Sequence, residues 1–239
     1  NAAGATLNLS STNATPLSFY TGAATINNFG TLNQTVAGGH AIDSGFTFNN
    51  SGTVNVDAGT LTVGSGGTDT GLYAVDAGAT LNFSGGTRNL NLGANIAGIG
   101  TLVISGATVN AYAALDFDAG NTPLVISGGA LNSSNTLSAR TLTLSGGGTL
   151  GGTGAVTVTG AFNVTGGSFL SGAGSFTTQG VSTVSMAEAN GFLRVNGGNT
   201  WVNEGTLTIG GDDYIYFGYT SGGTNTLTNA AGATLNLSS

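Results

Sequence analysis

Residues 148–178 read GTLGGTGAVTVTGAFNVTGGSFLSGAGSFTT, and the spacing of glycine within them decides the fold. Gly148, Gly154, Gly160, Gly167 and Gly174 stand at steps of 6, 6, 7 and 7, each two residues before a large apolar side chain: Leu150, Val156, Phe162, Phe169 and Phe176. Between them apolar and small polar residues alternate, as in Val156-Thr157-Val158. The same alternation runs through Val54-Asn55-Val56, Leu61-Thr62-Val63 and Leu142-Thr143-Leu144. A period of two puts apolar side chains on one face of a strand and Thr or Asn on the other. No stretch keeps a 3.6-residue helical period beyond a turn or two, and residues 185–190 predict a single helical turn at most.

Outward from this stretch a longer period appears. Asn or Asp stands two before a Gly that opens a β-branched or leucine-bearing run at Asn28-Phe29-Gly30-Thr31, Asn50-Ser51-Gly52-Thr53, Asp57-Ala58-Gly59-Thr60, Asp76-Ala77-Gly78-Ala79 and Asn203-Glu204-Gly205-Thr206. The side-chain oxygen can accept from its own backbone two residues on, Gly accepts positive φ, and the β-branched residues after it favour a strand. Asn28 to Asn50 is 22 residues and Asp57 to Asp76 is 19. Three strand-and-turn steps therefore make one repeat of roughly twenty residues. A sandwich would need longer strands and turn signals every ~8–12 residues. The expected architecture is all-β: a right-handed parallel β-helix (β-solenoid) with about three short strands per ~20-residue turn. Stacking would bury the inward Leu, Val and Phe, and turn asparagines would form ladders. About eleven turns at ~4.8 Å each would make a rod on the order of 50 Å long.

NAAGATLNLSS occupies residues 1–11 and again residues 229–239, an offset of 228. An identity of this length predicts that 1–239 is one continuous solenoid unit of a tandem array, with neighbouring copies as end-to-end partners. No lysine or proline guards either segment against edge pairing.

Composition removes many functions. Three basic residues, all arginine, against ten acidic ones give a net charge of −7, which leaves no basic surface for nucleic acid or anionic membranes. With no cysteine there is neither a disulfide framework nor a thiolate metal site, and no apolar run reaches the ~18 residues of a transmembrane helix.

The Asn-x-Gly-Thr-Leu and Asp-Ala-Gly turns, the low charge and the tandem unit together resemble the passenger regions of Gram-negative autotransporters and filamentous-haemagglutinin-like exoproteins. The resemblance covers nearly the whole chain and implies export, an extracellular location on the bacterial cell surface, and a structural fibre acting in adhesion, biofilm or sheath formation. Host or matrix glycans are the partners it implies beyond neighbouring copies. The absence of cysteine agrees with passage through the periplasm unfolded.

A carbohydrate-binding or carbohydrate-cleaving β-helix is the alternative, with ice binding third. Asp116 and Asp118 share a strand face and could form an acid/base pair, but Asp118-Ala119-Gly120 continues them as a strand-to-turn edge. His40, after Gly38-Gly39, has no second histidine near it and reads as an exposed turn residue. No catalytic residue, metal site or cofactor is expected. Asp212-Asp213 sit in one Gly-rich turn, whereas calcium-binding rolls need neighbouring copies. Thr141 with Thr143, Thr157 with Thr159 and Thr206 with Thr208 form outward pairs like those of ice-binding solenoids, but the 19 to 22 spacing is irregular. The candidate contact site is aromatic: Trp201, Tyr214, Tyr216 and Tyr219, beside Asp212 and Asp213. By alternation Tyr214 and Tyr216 face outward while Ile215 and Phe217 face the core. The rings would then stack on sugars, or pack against a turn or the next unit.

Overall fold

The computed structural model describes residues 1–238; Ser239, the last residue of the second NAAGATLNLSS, lies outside the described residues. Among the described residues every regular element is a strand, most of them four residues long. Each strand pairs in parallel with a strand one turn away, so the chain winds as a solenoid of about 10 turns, about 22 residues per turn and three strands per turn.

Every turn visits three faces in the same order. Face I begins with Thr6–Leu9, Thr31–Gln34, Thr53–Val56 and Leu72–Val75, and ends with Ser175–Thr178, Thr200–Asn203 and Thr226–Asn229. Face II begins with Gly39–Ile42, Thr60–Val63 and Thr80–Phe83, and ends with Val181–Val184, Thr206–Ile209 and Thr234–Leu237. Face III runs from Ala24–Asn28 and Phe46–Asn50 to Phe192–Asn196 and Tyr214–Phe217. In the middle, Leu137–Leu144 and Ala155–Val164 pass from face I to face II as single strands, which joins those two sheets.

In-register pairing makes columns of like residues. On face II, Leu61, Leu81, Leu102, Leu124, Leu142 and Phe162 stack inward turn upon turn, each essentially inaccessible. Each such side chain contributes roughly 1.5–3 kcal/mol on burial, and no single turn could enclose it alone. Turn length varies at the corners: Thr53 pairs with Leu72, 19 residues on, whereas Thr206 pairs with Thr234, 28 on. This variation gives ten turns where uniform spacing predicts eleven.

The Asn-x-Gly corner works differently from its sequence reading. Asn28 turns inward and is buried, donating to Asn50 Oδ1 (2.8 Å) and to the Thr53 carbonyl (3.0 Å) of the next turn. Asn1 donates to Asn28 in the same way (2.7 Å), and Asn203 to Asn229 (2.7 Å). The amide column replaces the local turn bond and satisfies buried polar groups along the axis. Gly59 and Gly78 do take positive φ, 64° and 77°. Gly52 does not; a Cβ there would lie 2.1 Å from the Gly30 carbonyl oxygen of the preceding turn, so close approach is what excludes a side chain.

Two local expectations are corrected. His40 is not an exposed turn residue: it points into face II, 2% exposed, with Nδ1 2.5 Å from Gln34 Oε1 and Nε2 3.1 Å from the Ser11 carbonyl. Residues 10–22 lie against the strand that carries it, Ala41 N–H donating to the Ala14 carbonyl at 2.7 Å, and so shield it. Residues 185–190 form a non-helical loop with Asn190 at φ 56°, because the corner between faces II and III leaves no room for a helical turn.

The interior also holds a charge cluster that periodicity does not reveal. Arg88, at an inward position of Thr87–Leu90, places Nη2 2.5 Å from Asp69 Oδ1, and both side chains are fully buried. Tyr73 donates its hydroxyl to Asp69 (2.8 Å), Asn50 N–H donates to the same carboxylate (3.2 Å), and Arg88 also donates to the Ser65 and Phe48 carbonyls. The guanidinium lies between the rings of Phe48 and Phe83, at 5.4 and 5.2 Å from their centroids. Removing one member of such a pair strands a charge in the core, at a cost of about 3–5 kcal/mol, whereas replacing both by apolar groups of similar volume is far milder.

Two outcomes are expected from this cluster. Arg88→Ala should lower unfolding stability by about 3–5 kcal/mol, and Asp69→Leu combined with Arg88→Met should recover most of that loss; equal losses in the single and double variants would contradict a paired-charge origin. Burial, followed by the neighbouring Asp69 carboxylate, holds the Tyr73 phenol well above the ordinary tyrosine value. The folded chain therefore keeps a proton that the unfolded chain releases near pH ~10. Stability present below that pH is lost above it. Tyr73→Phe should flatten this alkaline loss in denaturant titrations, and an unchanged alkaline slope would count against it.

Candidate functional site

Strand alternation and register together build the outward surface of face III near its last turns. Phe192–Asn196 pairs with Tyr214–Phe217 so that Phe192 stands beside Tyr214 and Arg194 beside Tyr216. Because Leu193 and Val195 are buried, Phe192 and Arg194 project outward with Tyr214 and Tyr216, as alternation requires.

The rings form one cluster. Phe192 stacks on Tyr214 with centroids 5.4 Å apart and an interplanar angle of 16°, while Tyr214 meets Tyr216 edge to face at 4.7 Å. Tyr219, from the adjoining loop, stacks on Tyr216 at 5.2 Å. Arg194 holds the cluster together: its guanidinium carbon lies 3.9 Å from the centroid of Phe192, 4.6 Å from Phe169 and 5.0 Å from Tyr219. The attraction of a cation for ring faces fixes this arrangement. Tyr216 and Tyr219 remain exposed. The hydrogen bond with Tyr216 raises the Tyr214 phenol above the ordinary tyrosine range.

The structure therefore brings together three of the six sequence candidates, Tyr214, Tyr216 and Tyr219, and separates the others. Trp201 is a correction: it is fully buried, its Nε1 donates to Thr178 Oγ1 (3.1 Å), and it packs edge to face on Phe162 at 5.7 Å. Its position in Thr200–Asn203 alternates inward, and nearness in sequence does not make it a neighbour of the tyrosines. Asp213 Oδ2 accepts the Met186 N–H at 2.6 Å and fastens the loop of residues 185–191, whereas Asp212 is solvent-exposed. Phe169, Phe192 and Arg194 escape a sequence reading because they lie one or two turns earlier. Alternation within 192–196 was the available signal, and only register could connect it to 214–217.

The remaining carboxylate candidates are tied into the scaffold. Asp116 accepts from Ser138 Oγ (2.5 Å) and from the N–H groups of Ala119 and Asp118 (3.1 Å each); the Ser138 bond foremost, then that of Ala119, holds it below the usual carboxylate range. Asp118 accepts from Thr159 Oγ1 at 2.7 Å. Phe117 between them is buried. A carboxylate stabilised in its charged form is poorly placed to donate a proton.

The last turn leaves a second surface, an apolar groove of about 430 Å3 at the open end of the core, lined by Ile209, Ile215, Phe217, Leu227, Leu235 and Leu237. Phe217 faces the core as expected, yet is 47% exposed because no turn covers it.

Aromatic pairs contribute about 0.5–1.5 kcal/mol each, so Tyr216→Ala with Tyr219→Ala should lower stability by about 1–2 kcal/mol and speed hydrogen exchange across residues 192–196. Unchanged stability with loss of glycan-array binding would assign the rings to sugar recognition instead.

Compared with known proteins, the chain matches no protein-family model, no curated protein sequence and no solved structure.

Proposed function

We propose that the chain is a structural repeat unit of a long extracellular fibre on a bacterial surface, acting in adhesion, biofilm or sheath formation. The observation that carries this reading is the fate of the duplicated segment. In its first copy Leu9 is 4% exposed beneath the next turn; in its second copy the equivalent Leu237 is 75% exposed beside an open apolar groove. The same residues therefore have a covered and an uncovered form, and a second copy joined at this end would convert one into the other. Low charge and a surface of Thr and Asn suit a solvated rod in which backbone pairing, not a compact globule, provides cohesion.

The alternative of carbohydrate binding draws on the exposed rings of Tyr216 and Tyr219. It is compatible with a fibre, since an adhesin needs contact sites along its length. No residue of the unit acts as a catalyst in this reading.

Immunogold labelling of intact producing cells with antibody against the unit should decorate external fibres at an axial repeat near ~50 Å, ten turns of ~4.8 Å. Label that appears only after cell lysis would overturn the surface assignment.

A further inference from the structure

The two copies of NAAGATLNLSS lie on different faces. Thr6–Leu9 pairs with Thr31–Gln34 on face I, while Thr234–Leu237 pairs with Thr206–Ile209 on face II. Between them the chain completes ten turns and one further face, the step through residues 10–23 carrying no strand. We infer that successive copies join as one unbroken solenoid in which each is rotated by one face, a third of a turn, relative to the copy before it. The open end of the core is thus the docking surface for a second copy of this chain. This rests on the tandem-fibre reading and adds the geometry of its junction.

Three features support the rotated joint. First, the asparagine columns fuse. Asn203 donates to Asn229 at the corner between faces I and II, and Asn1 donates to Asn28 at the corner between faces III and I. If Asn229 is the next copy's Asn1, the column from Asn203 runs on through Asn28 to Asn50. At the open end Asn229 instead donates to the nearby Ala233 carbonyl (3.0 Å). The outward amides behave alike: Asn236 stands on Thr208, and its equivalent, Asn8, accepts from Asn33, which in turn accepts from Asn55.

Second, the strand that rotation lays over Thr226–Asn229 matches it. With Asn229 above Asn28 of the next copy, Leu227 meets Ile26 and Thr228 meets Asn27. The apolar pair faces the core, where both residues already pack against it, and the polar pair faces solvent.

Third, rotation sets the strandless residues 10–22 of the next copy over Tyr214–Phe217. That segment exposes Tyr20 (97%) and Leu17, and the face it meets exposes Phe217 and Tyr219. Copies joined in phase would place face III on face III and dissolve the Thr206–Thr234 pairing, with Leu235 on Leu207, that the structure contains. Rotation also turns the aromatic cluster by a third of a turn per copy, so three copies, about 150 Å of rod, present it on every side of the fibre.

The chain has no cysteine, so paired thiols can be introduced cleanly into a protein of two copies joined at the 228-residue period. Adjacent in-register strands bring Cα atoms within disulfide range. Thr228→Cys in the first copy with Asn27→Cys in the second should oxidise almost completely, and Tyr216→Cys with Asn27→Cys should stay near background. Hydrogen exchange across residues 229–238 of the same protein should be as slow as in interior strands. Slow exchange with the reverse disulfide preference would overturn the rotation and leave the continuous fibre intact. Fast exchange at the junction would overturn both.

Discussion

Every feature of this molecule depends on turn-on-turn stacking of parallel strands at about 4.8 Å. At that spacing each side chain meets the residue one turn above and below it, so a column tolerates only groups that can lie on copies of themselves. Apolar residues stack into a core, asparagines donate to one another, and at the Asn-x-Gly corner the Gly30 carbonyl occupies the place a Cβ of residue 52 would need. The same constraint makes the stack open-ended. Nothing in an ordinary turn distinguishes it from a last turn, and Leu235 and Leu237 are left uncovered where the column ends.

The departures from simple stacking are where specific chemistry enters. Asp69, Tyr73 and Arg88 interrupt the apolar columns with a fully bonded polar network, which is tolerable inside a protein only because each member has its partners. Near the other end of the rod Arg194 does the opposite: it remains outside and gathers aromatic rings from three consecutive turns of face III. One arginine thus fixes register from within, and another builds the most distinctive surface. Both act between turns, and neither would be visible within one.

For the fibre reading, the ends matter more than the middle. A repeat that advanced by a whole number of turns would present every copy's surface along one line. Extra residues at the corners, such as the 28 between Thr206 and Thr234, do not disturb pairing but do change how many faces fit into 228 residues. Corner length therefore controls the angular distribution of surface features while the stacked strands remain uniform.

The fold was legible in the sequence because its signals are local. Glycine steps of six and seven, strict alternation in Val54-Asn55-Val56, and recurring Asn-x-Gly corners arise from backbone geometry and act over a few residues. They establish strand, turn, three faces and stacking, and they place Tyr214 and Tyr216 outward. Tertiary structure alone decided what each residue meets across turns. Trp201 became core, His40 was covered by residues 10–22, Arg88 found Asp69, and Phe192 with Arg194 joined the tyrosines. The physical reason is that turns vary from 19 to 28 residues. A neighbour one turn away therefore has no fixed offset in sequence, and the face on which the second NAAGATLNLSS lands emerges only when all the turns are wound.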